Sequence, residues 1–85
     1  MPQVARIGDP ISHGGAIITG SDNVFANGIG VARVNDLVNC AQHGIKLLIE
    51  GSDTVWVNGR GCVRVGDQAE CGAIVTAGSE NVIAG

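Results

Sequence analysis

The chain has little of almost everything that announces a chemistry. None of its 85 residues is Tyr, one is Phe and one is Trp, so a core must be built from Val, Ile, Leu and Ala. Lys and Arg number only 5 against 8 Asp and Glu, for a net charge of −3. No nucleic-acid partner is expected, because phosphate neutralisation needs clustered cations and these are few and scattered. No apolar run approaches the roughly 20 residues that span a bilayer. The N-terminus has no basic-then-apolar signal segment, and no stable membrane insertion is expected. Cysteines number 3, an odd count that argues against a closed disulfide framework and suits free thiols in a reducing compartment. A single domain over residues 1–85, with no extension domain, is the organisation these features suggest. So short a chain draws a thin margin from burial and needs a staple.

What is present is glycine, 14 of them, with β-branched residues between, a composition of turns and strands. It is also repetitive. "ARIGD" at Ala5 to Asp9 returns as "ARVND" at Ala32 to Asp36 and as "VRVGD" at Val63 to Asp67. "GSDNVFANG" from Gly20 returns as "GSDTVWVNG" from Gly51 and, cut short, as "GSENVIAG" from Gly78. One copy carries four extra residues, between Asp36 and Gly51. Asn27-Gly28 and Asn58-Gly59, each between apolar segments, predict two-residue type I′ hairpins. No helical period of useful length is present. The expectation is an all-β fold of three pseudo-repeated hairpin or meander units about an axis, stapled by a metal.

The staple is visible once the copies are in register. His13, Cys40 and Cys71 each stand four residues after a repeated Asp, and the extra segment adds His43 in "NCAQHG". Four nitrogen and sulfur donors suit tetrahedral Zn²⁺ and disfavour Mg²⁺ or Ca²⁺; iron is the other candidate. Four protein ligands leave no open position, so the metal would be structural and the chain not an enzyme. The alternative is a small standalone metalloprotein with redox or hydrolytic activity. Cys62 stands where the other copies have Val4 and Val31, and is read as core.

Other recurrent groups admit plainer readings. Asp22, Asp53 and Glu80 are single acids on separate turns, too few oxygens for calcium, and are read as solvated. Arg6/Asp9 and its two equivalents are read as anchors of strand ends through charge-assisted hydrogen bonds. Phe25, Trp56 and Ile83 are equivalent and, in a strand, point away from Val24/Ala26, Val55/Val57 and Val82/Ala84. They are either a second layer of core, the reading preferred here, or a partner-binding surface.

"PQVARIGDPISHGG", "VARVNDLVNCAQHG" and "VRVGDQAECGA", with the repeated "G-S-x-x-V…N-G", resemble the PAAR-repeat family over essentially the whole chain. The naming tetrapeptide is degenerate, Pro2 being followed by Gln3, Val4, Ala5 and Arg6. The resemblance implies a cone-shaped protein that caps and sharpens a trimeric β-helical spike. Such spikes are of the valine-glycine-repeat type in type VI secretion systems, or belong to phage or tailocin tails. One cap per trimer, piercing of a target envelope and travelling effectors follow from the same resemblance. So does a bacterial cytoplasmic origin followed by export at the tip, or a place in a virion tail. It also implies an apical zinc, carried by position onto His13, Cys40, His43 and Cys71. Family members often have three histidines and one cysteine there; here a cysteine replaces one histidine.

Overall fold

Frequent glycines cut the chain into strands of two to four residues. In the computed structural model, which describes residues 3–84, these are β1 (Gly15–Ile17), β2 (Phe25–Ala26), β3 (Ile29–Gly30), β4 (Leu37–Cys40), β5 (Gly44–Leu47), β6 (Trp56–Val57) and β7 (Arg60–Gly61). No helix occurs among the described residues, and the fold is all-β as expected. β1, β4 and β5 form one antiparallel sheet in that order, and β2–β3 and β6–β7 are separate hairpins. Both hairpins turn on Asn-Gly with φ of 55° and 76° at Asn27 and Gly28, and 53° and 76° at Asn58 and Gly59. Two successive positive values are what a type I′ turn demands.

The third copy is whole in space although cut short in sequence. Ile83 bridges Gln3, as Phe25 pairs Gly30 and Trp56 pairs Gly61. The Val4 amide donates to Val82 O at 2.9 Å, matching Val31 to Val24 O and Cys62 to Val55 O at 3.0 Å. The N-terminal segment thus supplies the returning strand of the third hairpin. Pro2, the first residue of the degenerate tetrapeptide, lies outside the described residues.

The units are joined by backbone hydrogen bonds that run round the axis. The Ala5 amide donates to Val63 O (2.9 Å), Val63 to Ala32 O (3.0 Å), and Ala32 to Ala5 O (2.9 Å). All three residues are fully buried, and their small side chains are what lets three backbones meet at one point. A second cycle of bridges pairs Ile11 with Val75, Val38 with Ile17, and Ala69 with Leu48. These six residues form the body of the larger hydrophobic cluster, which also takes in Cys40, Ala73 and, at its margin, Cys71. Val4, Val31 and Cys62 pack with Ala26, Val57 and Ala84 as a separate smaller cluster. Cys62 is therefore core, as its repeat position predicts, and burial pushes its thiol up from the ordinary value.

Strand alternation misplaces Val24, Val55 and Val82. Each is exposed rather than turned inward with Ala26, Val57 and Ala84. Their amides are held by Ser21, Ser52 and Ser79 Oγ at 2.8–3.0 Å, inside turns that precede two-residue strands. Alternation does not extend backward into a turn.

Arg6, Arg33 and Arg64 do anchor strand ends. Each pairs with the Asp three residues on, and that carboxylate also accepts the arginine's own amide at 2.7–2.8 Å. Asp36 is the most heavily bonded, receiving Arg33, the Thr19 hydroxyl at 3.0 Å and Arg60 at 3.1 Å. Burial pushes its carboxyl up, but hydrogen bonds from Arg33 and Thr19, with the Arg33 charge, hold it below its ordinary 3.8. A carboxylate lowered on folding contributes stability that is complete above its unfolded value and lost as pH falls through the folded one. Asp36→Ala should therefore cost about 3 kcal/mol at neutral pH, since it removes a buried carboxylate that two guanidinium groups share. Urea titrations should also show a shallower loss of stability in the variant than in the parent below about pH 4.

Candidate metal centre

Each unit ends in a tight turn, and the turns meet. Ile11 O accepts the Gly14 amide and Ala69 O the Gly72 amide, at 3.1 and 2.9 Å, so His13 and Cys71 are the third residues of two equivalent turns. Gly14 and Gly72 close them with φ of 78° and 90°, a region that favours glycine. In the middle unit the four-residue insertion makes the β4–β5 hairpin longer. Its turn is closed by the His43 amide on Cys40 O at 3.2 Å. The first and last residues of a β-turn lie within about 7 Å of each other, so this one turn offers two donors where the others offer one.

The three turns are also tied to one another. The Ala41 amide donates to Gly14 O (3.0 Å), Ser12 to Ile74 O (2.8 Å), and Glu70 to Leu47 O (2.8 Å). Gly15 permits the closest approach: a β-carbon there would stand 1.8 Å from Asn39 O. The donors are thus placed by backbone bonds before any ligand is considered.

His13, Cys40, His43 and Cys71 offer ligand atoms that all lie within 4.8 Å of one another. Cys40 Sγ lies 3.4 Å from His43 Nδ1 and 3.7 Å from His13 Nδ1. The two imidazole rings are 5.3 Å apart, centre to centre, and tilted by 50°. Tetrahedral coordination at zinc bond lengths separates ligand atoms by about 3.3–3.8 Å. The geometry and the donor chemistry therefore fit a four-coordinate metal ion. Cys40 is buried, His13 and Cys71 half-buried, and His43 exposed.

The Cys40 thiol suits this role. Burial pushes it up, but the Gln42 and His43 amides, the Cys71 side chain and the Lys46 charge hold it below the ordinary thiol value. Metal binding needs the thiolate, so any lowering favours it. Glycines 14, 15, 44 and 72 are part of the site's construction, and repeat matching of donors alone passes over them. The signal available in the sequence is a glycine directly after His13, His43 and Cys71.

Phe25, Trp56 and Ile83 are 58%, 61% and 51% exposed, which corrects the preference for a second core layer. Phe25 and Trp56 lie in β2 and β6 and Ile83 in the matching bridge, and the other face of each segment already fills the smaller cluster with Ala26, Val57 and Ala84, so a second layer has nothing to cover it. Asp22, Asp53 and Glu80 are exposed on their turns.

No curated protein matches the chain. A family model described as the PAAR motif matches residues 7–77 and so spans all four of these metal-capable side chains. That family is structural rather than enzymatic, and membership supports a spike-tip type of protein in a secretion or phage-tail context. With the match covering most of an 85-residue, all-β, threefold-repeated chain, the protein belongs to the PAAR-motif family.

Proposed function

We propose that this protein caps the blunt end of a trimeric β-helical spike, one copy per trimer, in a contractile secretion apparatus or phage tail. It sharpens the spike for piercing a target envelope, after synthesis in a bacterial cytoplasm and export at the tip. One zinc ion, held by His13, Cys40, His43 and Cys71, is its structural staple. Zinc is favoured over iron because two imidazoles and two thiols form a closed tetrahedral set, typical of structural zinc. A site of that kind supplies folding energy and leaves no position for a substrate.

The observation that carries this reading is the set of exposed apolar side chains Phe25, Trp56 and Ile83, placed at threefold-equivalent positions. Exposed Val24, Val55 and Val82 adjoin them, giving each unit an apolar pair. A cap that repeats three times suits a threefold partner, while the insertion in one unit and the split third hairpin make its own threefold inexact. Covering the open strand ends of a trimer also removes a route to aggregation. The interface should bury roughly 1,200–2,000 Å² in total.

The test is the mass of the complex formed with a purified trimeric valine-glycine-repeat or phage-tail spike. One cap per trimer is expected, and Trp56→Ala should weaken binding about 30-fold or more while leaving the fold intact. Three caps per trimer, or wild-type affinity in the variant, would contradict the proposal.

A further inference from the structure

We propose that Cys40 and Cys71 form a reversible oxidation site, closing into an intramolecular disulfide when the donor cluster holds no metal and a peroxide is present. The three free cysteines are not alike. Cys62 is sealed in the smaller cluster with Val4, Val31 and Ala84, away from the other two. Cys40 and Cys71 stand at equivalent positions of neighbouring units, with ligand atoms no more than 4.8 Å apart. A disulfide needs about 2.05 Å between sulfurs, so side-chain rotation and a modest shift of one turn must close the gap. The Cys71 turn faces open space on one side: a β-carbon on Gly72 would meet nothing within 4 Å. Backbone bonds at Ser12–Ile74 and Glu70–Leu47 keep the turns together meanwhile.

Accessibility assigns the order of events. Cys71 is half-exposed and meets the oxidant first, whereas Cys40 is buried. Cys71 Sγ attacks one peroxide oxygen, the O–O bond breaks, and the sulfur becomes a sulfenic acid while hydroxide leaves and takes up the thiol proton as water. Cys40 Sγ then attacks Cys71 Sγ, forming the S–S bond and expelling the hydroxyl group, which leaves with the Cys40 proton as a second water. Two electrons pass from the sulfurs to the peroxide. A metal ion bound by both thiolates competes directly with this bond, because each sulfur can serve only one of them. The same two side chains then report whether the tip is metal-loaded. The disulfide rests on the spacing of the thiols, whichever ion normally occupies the cluster.

The experiment starts from full-length protein stripped by chelator under reducing conditions, then freed of reductant and treated with stoichiometric hydrogen peroxide. Thiol titration in denaturant should fall from three to one per chain. Intact mass should drop by about 2 Da, and digestion should yield a peptide linking Cys40 to Cys71. The oxidised protein should take up no Zn²⁺ until dithiothreitol restores it. Cys62→Ser should form the same link, its titration falling from two thiols to none, which keeps the test valid even if Cys71→Ser fails to fold. Retention of all three thiols, a gain of oxygen without a link, or a link through Cys62 or a second chain would overturn the proposal. Zinc uptake by the reduced protein is scored separately, so a failed disulfide leaves the metal assignment standing.

Discussion

Cys71→Ser should destabilise the protein far more than Cys62→Ser, although both replace one sulfur with oxygen. The first removes a thiolate donor from the cluster, and a structural zinc contributes on the order of 10 kcal/mol of binding energy to folding. Losing one ligand forfeits a large share of that and lowers the unfolding midpoint sharply. The second places a hydroxyl in a sealed apolar pocket lined by Val4, Val31 and Ala84, at a cost of roughly 1–3 kcal/mol. Urea unfolding with metal analysis separates the two. Cys62→Ser should keep its metal and most of its resistance to urea, and Cys71→Ser should lose its metal and unfold at far lower urea. Chelator treatment of the parent should reproduce the Cys71→Ser behaviour.

Gly15→Ala should be nearly as damaging, although it adds one methyl group to an exposed position. The new β-carbon would meet Asn39 O at 1.8 Å, and Gly15 has a φ of 98°, where L side chains are strained. Gly15 pairs with Cys40 across β1 and β4, so relieving the clash pulls apart two turns that carry donors. A loss of more than about 4 kcal/mol is expected, from combined overlap and strain. Gly28→Ala and Gly59→Ala are the controls. Both glycines have positive φ but nothing within 4 Å of the added carbon, so each should cost only about 1–2 kcal/mol. Equal thermal shifts in all three variants would show that the β1–β4 contact is unimportant.

Much of this was legible because the chain repeats. Matching "ARIGD", "ARVND" and "VRVGD" brings His13, Cys40 and Cys71 to one position, and the structure brings their side chains to one place. Asn27-Gly28 and Asn58-Gly59 mark their hairpins because positive φ at two successive residues leaves few alternatives. What was not legible depends on contacts between units. The Ala5–Ala32–Val63 ring involves three backbones whose sequence shows only small apolar residues. The pairing of Gln3 with Ile83 joins residues from opposite ends of the chain, and no local pattern encodes that. Ser21 and Ser79 were visible as repeated turn residues. Their hydroxyls, however, reach Asn58 and Asn27 at the hairpin tips of other units, a role that appears only on assembly. Phe25, Trp56 and Ile83 were ambiguous for a related reason. A two-residue strand has two faces, and only the packed structure shows which one the smaller cluster uses.

X-ray absorption at the metal edge of the purified protein, with metal content measured on the same sample, tests the structural-centre reading most directly. The expected result is one zinc per chain with two sulfur ligands at about 2.3 Å and two nitrogen ligands at about 2.0 Å, drawn from Cys40, Cys71, His13 and His43. A redox-active metal, an oxygen ligand from exchangeable water, or metal-free protein of undiminished stability would contradict it.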